Sequence, residues 1–472
     1  ISITISEGDR YTFGDIGIET SIADLNVDAL RGAIRSQPGA SYSGLDVQQS
    51  VEDIAFRATG QGKAFADVRA RVNRDPINRT LSITYLVDEG ARVYVERINI
   101  IGNTKTRDFV IRRTLDFAEG DPFNRSLVTR GKSAIEALDY FSSVNVTTAR
   151  GTAADKIVIN IVVVEKSTGD YGATIGYQTG NGPSPVDGIL GEISLTERNF
   201  LGRGQYLRIA IGASTSGQTY DLSFTEPYFM GLDVSAGFDI YRRIQAETLT
   251  NFYGSTSTGG QVRVGVPLTD DLEVTLLVGG ETRSFTDSLA GAAGDSVVIA
   301  DGDTLNKLFV GYTLNFNNLD EASGRPRSGF VARLSQQYVF LDHNFLKTEV
   351  TARYFMPLIP DANVVASVKG QAGIINDFSG AGVHPVEAFR PGQRLVRGFD
   401  QGGIGPRAAS GEALGATMYA GLSAEVEFPF PGVPENYGLS GAVWGDIGYV
   451  AGVPASMVPG QRAIIGQRMP PS

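Results

Sequence analysis

Two hydrophobic periodicities divide the chain. Up to about residue 166, apolar positions recur at helical spacing between short alternating runs. In "DPFNRSLVTRGKSAIEALDYF" (121–141), Leu127, Ile135 and Leu138 fall on one helical face. "GNTKTRDFVIRRTL" (102–115) predicts a turn followed by a helix, with Thr106 as N-cap. Strands are expected before them at 94–101 and after them near 143–149 and 156–165, giving the order β-α-α-β-β. The same unit occurs about 81 residues earlier: Leu30 maps to Ile111, Ile34 to Leu115, Gly39 to Gly120 and Tyr42 to Phe123. The opening "ISITISEG" (1–8) matches the strand that begins "LSITYLVDEG" at 81, so it reads as the last strand of a further unit cut away upstream. It has no basic start and no apolar core, and is not a signal peptide.

After Lys166 the period becomes two. "YLRIAIGAS" sets Leu207, Ile209, Ile211 and Ala213 against Arg208, Ala210 and Gly212. "LEVTLLVGGE" sets Leu272, Val274, Leu276 and Val278 against Glu273, Thr275, Leu277 and Gly279. "MYAGLSAEVEF" sets Met418, Ala420, Leu422, Ala424, Val426 and Phe428 against Tyr419, Gly421, Ser423, Glu425 and Glu427. About thirteen such strands are expected, at 169–179, 188–198, 203–214, 217–226, 232–244, 257–267, 271–284, 304–316, 328–340, 345–356, 362–375, 412–428 and 437–450. A soluble sandwich and a membrane barrel both alternate in this way. Strand length, charges deep in the polar faces (Arg208, Glu273, Glu425) and aromatics near strand ends (Tyr228, Phe229, Phe428, Phe430) favour the barrel, since a sandwich core does not hold unpaired charge.

Composition narrows the function classes. No apolar run approaches eighteen residues, so no transmembrane helix is expected. The net charge of −11 argues against a nucleic-acid partner. Cys is absent, and His343 and His384 are the only histidines, both read as loop residues. Neither a disulfide scaffold nor a histidine-rich metal site or hydrolase triad is expected. "GNGPSPVDG" (180–188) is read as a hairpin turn and "DSVVIADGDT" (295–304) as a solvated loop. No catalytic constellation is present, so the chain is expected to be neither an enzyme nor a cofactor binder.

The repeated unit, with its words "INIIGNTKTRD" and "EGDPF", resembles the POTRA domain of outer-membrane assembly proteins. POTRA units followed by a barrel resemble the outer-membrane insertase superfamily. That group shares the word V-R-G-F/Y in a long loop, here Val396, Arg397, Gly398 and Phe399. It shares a second word, aromatic-x-D-x-G, here Trp444, Asp446 and Gly448. "DQGGIGPR" (400–407), "LTERNFLGRGQ" (195–205) and "FTEPYFMG" (224–231) resemble the BamA family. The resemblance implies this division: 1–8 the end of a preceding POTRA, 9–91 and 92–166 two POTRA domains, and 167–472 about thirteen of sixteen barrel strands, with the chain cut at both ends.

On "LSGAVWGDIGYV", Ser440, Ala442, Trp444, Asp446 and Gly448 share one face, and its small residues leave room for a packed loop. Arg397 is expected to reach inward as a planar partner for Asp446, with Gly398 allowing close approach and Phe399 packed near Trp444 or its neighbours. The resemblance further implies a lateral seam at the first barrel strand, through Gly169, Tyr171, Gly172, Ala173, Thr174, Ile175, Gly176 and Tyr177, which is glycine-rich and weakly held. By the same resemblance the function is folding and insertion of barrel proteins into the bacterial outer membrane, with POTRA units in the periplasm adding client segments as strands. Implied partners are the lipoproteins of an assembly complex, periplasmic chaperones, unfolded outer-membrane clients and membrane lipids. A TamA-like or two-partner secretion protein is the alternative within the superfamily; a passive porin or receptor is the alternative outside it, though it leaves the repeat unexplained.

Overall fold

The computed structural model describes residues 11–454 apart from 62, 64, 91–92, 179–187, 215–216, 247–252, 270, 289–303, 321–324, 360–362, 381, 385, 401, 408–412, 431–432 and 434–438. The expected strand at 1–8, most of the 180–188 turn and the 295–303 loop lie outside these residues. The chain divides into two units: residues 1–168 with 198–204, and 169–197 with 205–472.

The first unit holds the repeat. Its first copy runs β1 (Thr12–Thr20), α1 (Val27–Arg31), α2 (Gly44–Gly60), β2 (Ala66–Asp75) and β3 (Thr80–Glu89). Its second runs β4 (Tyr94–Ile101), α3 (Asp108–Arg112), α4 (Arg125–Ala137), β5 (Phe141–Arg150) and β6 (Lys156–Glu165). Each makes a three-stranded sheet with the last strand in the middle, parallel to the first and antiparallel to the fourth element: β1-β3-β2 and β4-β6-β5. The aligned positions play matching parts. Leu30 and Ile111 are fully buried in their two cores, and Ile34 and Leu115 pack against them. Gly39 and Gly120 both take left-handed backbone, at φ +83° and +98°, which a side chain would strain. Both longer helices carry side-chain caps: Ser43 accepts from Asp46 N, and Asn124 accepts from Ser126 N and Leu127 N.

Thr106 is not the N-cap of α3. That position belongs to Arg107, which makes no side-chain cap bond. The backbone N–H of Thr106 turns instead to Glu165, whose carboxylate accepts from Thr106 N at 2.6 Å, Thr104 Oγ1 at 2.7 Å and Lys105 N at 3.0 Å. Consecutive amides of the "GNTKT" turn thus form an anion cradle filled from the end of β6. Burial alone would raise the Glu165 carboxyl, but these donors outweigh it and bring it down to about 2. Residues 198–204 group with this unit through Tyr140 Oη to Arg198 O (2.9 Å), Asn199 Nδ2 to Thr106 Oγ1 (2.9 Å) and Arg107 N to Gly202 O (2.8 Å). The "TERNFLGRG" word is largely this turn.

Among the described residues the second unit is one antiparallel meander of thirteen strands: β7 (Gly169–Gln178), β8 (Gly188–Phe200), β9 (Gln205–Ser214), β10 (Gly217–Glu226), β11 (Ser235–Gln245), β12 (Tyr253–Thr269), β13 (Leu272–Ser288), β14 (Thr304–Asn317), β15 (Gly329–Leu341), β16 (Phe345–Ile359), β17 (Val364–Asp377), β18 (Met418–Pro429) and β19 (Ser440–Ala451). Each strand pairs with its sequence neighbours; the segment expected as strand from 412 becomes one only at Met418, because 413–417 still belongs to the long loop that follows β17. One face of the sheet is apolar and exposed, as at Ile193, Ile211, Val278, Leu422 and Ile447. The other carries the charges, which pair across strands: Asp239 of β11 with Arg263 of β12, and Glu281 of β13 with Lys307 of β14. That is the alternation of a barrel wall with lipid outside and a polar interior. Apolar residues on the inner face, Leu277, Phe309, Val339 and Ile375, form a small core with Val383 and Phe389 of the loop between β17 and β18.

Candidate functional site

The loop between β17 and β18 lies on the inner face of the sheet and ends on its edge. Leu395 and Val396 press on a bare patch where Gly421 of β18 stands directly opposite Gly448 of β19. A Cβ on Gly448 would lie 2.7 Å from Val396 Cγ2 and 3.2 Å from Leu395 Cδ2, so both glycines are required by the loop. Gly398 serves otherwise than expected. Nothing lies within 4 Å of a Cβ there; its φ of +88° shows that glycine is needed for left-handed backbone, not close approach.

That turn delivers Arg397 to the wall. Its Nε lies 3.2 Å from Asp446 Oδ2, and its backbone N–H donates to the same oxygen at 3.0 Å. One terminal nitrogen lies 2.8 Å from Glu425 Oε2 and the other donates to Ser423 Oγ at 2.9 Å. Ser423, directly across from Asp446, donates to Asp446 Oδ1 at 2.6 Å. The guanidinium sits over the Trp444 ring, 4.8 Å from its centroid. Asp446 is 6% exposed, whereas Arg397 remains 36% exposed. Phe399 is half-buried, and among the described residues it makes no ring contact with Trp444: the arginine occupies that ring face.

Ser423 and Arg353, which the sequence does not mark, complete the cluster together with Glu425, marked only as a charge deep in a polar face. Arg353 Nη2 lies 3.4 Å from Glu425 Oε1, so Glu425 bridges two arginines. The missing information was register. Counting back from the β18–β19 pairing sets Ser423 opposite Asp446 and Glu425 opposite Trp444, but the turn that fixes this count has no short hairpin signature. The arrangement holds a loop to a sheet edge.

The two edges are β7 and β19. Among the described residues β7 pairs only with β8 and β19 only with β18. On β7, Tyr171, Ile175 and Tyr177 are exposed on the outer face with Ala173 between them, while Gly172, Thr174 and Gly176 face inward and Gly169 begins the strand. A Cβ on Gly172 would lie 2.6 Å from Ser194 Oγ, so this strand's glycines are partly fixed by β8. Among the described residues no group of three or more His, Cys, Asp and Glu could hold a metal ion.

Comparison with known proteins agrees with this construction. Residues 11–90 and 93–166 match the POTRA repeat described as a surface antigen variable number repeat. The chain is 28% identical over 454 residues to the outer membrane protein assembly factor BamA of Neorickettsia risticii, covering 95% of this chain and 59% of that protein. It is 26% identical over 479 residues to BamA of Neisseria meningitidis, covering 95% and 58%. It thus spans about three fifths of the length of these relatives. The fold superposes on the crystal structure of BamA from Haemophilus ducreyi lacking POTRA domains 1–3, with a TM-score of 0.61 at 21% identity over 94% of this chain and 88% of that one. The Omp85 superfamily domain matches residues 199–461, which takes in every strand from β9 to β19 and both halves of the Arg397 cluster, and the chain belongs to that superfamily.

Proposed function

We propose that this chain is the barrel and adjoining POTRA part of a BamA-like factor that folds and inserts β-barrel proteins into the outer membrane. Family membership puts the sheet in that membrane and the POTRA repeats in the periplasm. The observation that supports the reading most is the β7 edge, which among the described residues pairs only with β8, in a sheet braced on its inner face by an anchored loop. An open edge offers backbone donors and acceptors to an incoming strand, and in lipid every such group must find a partner. A client strand added to β7 gains its hydrogen bonds before it leaves the edge, so the client's own folding drives insertion and no nucleotide is required. The POTRA sheets each leave two edge strands for extended client segments by the same logic. Assembly-complex lipoproteins, periplasmic chaperones and unfolded clients are the partners this reading requires, with membrane lipids as the medium.

The absence of Cys makes a direct test simple. A single cysteine at Thr174, on β7, should crosslink to a cysteine in the terminal strand of a small client barrel during its folding. The reconstituted full-length protein should also speed that folding over empty liposomes. Equal folding rates, crosslinks of equal yield from mid-sheet positions such as Thr313, or steady ion conductance as the sole activity would overturn the reading.

A further inference from the structure

The long loop has a second foot, ten residues before the first. Glu387 is 10% exposed, with Oε1 2.9 Å from Lys307 Nζ of β14 and 3.8 Å from Arg283 Nη1 of β13. Both cations also touch Glu281 on β13, at 3.3 Å from Lys307 and 2.8 Å from Arg283, and Glu281 is 7% exposed. Tyr241 donates to the other Glu281 oxygen at 2.7 Å. Two cations and two carboxylates therefore balance in a nearly dry site, and one of the carboxylates comes from the loop. Without Glu387 the wall keeps two buried cations against one carboxylate, an arrangement that costs far more than an exposed charge. Burial alone would raise the Glu387 carboxyl, but Lys307 and Arg283 outweigh it and hold it below the ordinary value.

The neighbours of Glu387 are seated as firmly. Phe389 packs edge-on against Tyr419, with ring centroids 4.8 Å apart, and lies under Lys347 Nζ at 4.7 Å. Phe389 and Ala416 exchange backbone hydrogen bonds of 2.8 Å in both directions, closing the two limbs of the loop. The Arg397 foot differs. Its guanidinium is 36% exposed, so water competes for it. If it leaves, Glu425 keeps Arg353 and Asp446 keeps Ser423, so no partner is orphaned. If Glu387 leaves, Lys307 and Arg283 are left to share the single carboxylate of Glu281 in a nearly dry site.

We propose that Glu387 is the fixed anchor of this loop and the residue that positions Arg397, making the loop a strap from the β13–β14 wall to the β18–β19 edge with one permanent foot and one releasable foot. The feet stand five inter-strand steps apart along the sheet, on the order of 24 Å at about 4.8 Å per step. β18 and β19 can then shift during client addition without losing the loop, and Arg397 returns to the same place afterwards. This use of the strap rests on the insertase reading; the strap itself does not.

Hydrogen exchange on the full-length protein in liposomes separates the two, because it needs no client. In the wild type, the Arg397 amide should exchange at least ten times faster than those of Phe389 and Ala416. Arg397→Ala should raise exchange at 395–399 while leaving Phe389 and Ala416 within about twofold. Glu387→Gln should raise exchange at both feet at least tenfold. Removing the excess cation as well, in Glu387→Gln with Lys307→Met, should bring Phe389 back toward wild type, which simple loss of packing does not predict. Equal exchange at the two feet in the wild type, or Glu387→Gln loosening Phe389 but not Arg397, overturns the proposal. The wild-type measurement stands even if Glu387→Gln fails to fold. A strap that passes these tests in a protein without insertase activity would leave the anchor established and the proposed function wrong.

Discussion

Replacing Arg397 by Ala should weaken the loop's edge foot by an amount the geometry limits from both sides. Taking one partner from a fully buried pair costs roughly 3–5 kcal/mol, because a charge is left alone in a dry site. Here Asp446 is 6% exposed but keeps two donors after the substitution, Ser423 Oγ at 2.6 Å and the residue-397 backbone N–H at 3.0 Å. Glu425 keeps Arg353 at 3.4 Å. What is lost is three charge-assisted contacts in a half-wet site and the stacking on Trp444, about 1–3 kcal/mol in all. Trp444 is the single tryptophan of this chain, so its emission reports on the contact. A denaturant series on Arg397→Ala, Asp446→Asn and the double variant gives the coupling, expected at about 1 kcal/mol or more. Arg397→Lys should recover less than half, since one ammonium cannot reach three acceptors that the guanidinium serves with separate nitrogens. The exchange Arg397→Asp with Asp446→Arg should not rescue, because the new carboxylate would face Glu425. Losses that add to within about 0.5 kcal/mol would refute the direct contact, and a swap that restores the wild type would refute the part given to Glu425.

Three further outcomes follow from local geometry. Gly448→Val should push Val396 and Leu395 off the β18–β19 patch at about 1–3 kcal/mol, the usual range for overpacking, seen as loop cleavage by protease with the sheet still intact in heat-modifiable electrophoresis. Glu165 lies at about 2 when folded against an ordinary 4.5, so its contribution is complete above pH 4.5 and is lost as pH falls from there toward 2; exchange at Thr104–Thr106 should rise over that window, and Glu165→Gln should raise it already at neutral pH and abolish the acid step. Asn124→Ala removes the α4 cap and its Thr59 contact and should cost about 1 kcal/mol, measured as faster exchange at Ser126 and Leu127 with α2 unaffected.

The strands could be read from the sequence because each is half in lipid and half in a polar interior, which writes period two without ambiguity. The same rule hid the loop's seat. Phe309, Val339 and Ile375 occupy inward positions yet are apolar, and only a covering segment explains them. Arg397 and Asp446 stood out as motif words, but Ser423, Glu425 and Arg353 look like ordinary polar positions of alternating strands until register brings them together. Thr106 was misread for a related reason: a Thr before Asp and an apolar run suggests a cap locally, while its amide is claimed by Glu165, fifty-nine residues away. Glu387 carries no local mark at all; its partners come from strands that end well before it.

The Ser423–Asp446 pair also acts as a register gauge for the edge. A slip of one residue between β18 and β19 turns every side chain to the wrong face and is rejected by the membrane. A slip of two keeps the faces, so the apolar pattern cannot detect it. Sliding one way sets Asp446 against Glu425, carboxylate to carboxylate, which is destabilising between directly opposed residues. Sliding the other way sets Asp446 against Gly421, with no hydroxyl to donate and Leu395 overhead. Either slip also separates Gly421 from Gly448 and closes the bare patch. The β18–β19 pair is thereby given a frame of its own, read by the polar residues at its centre.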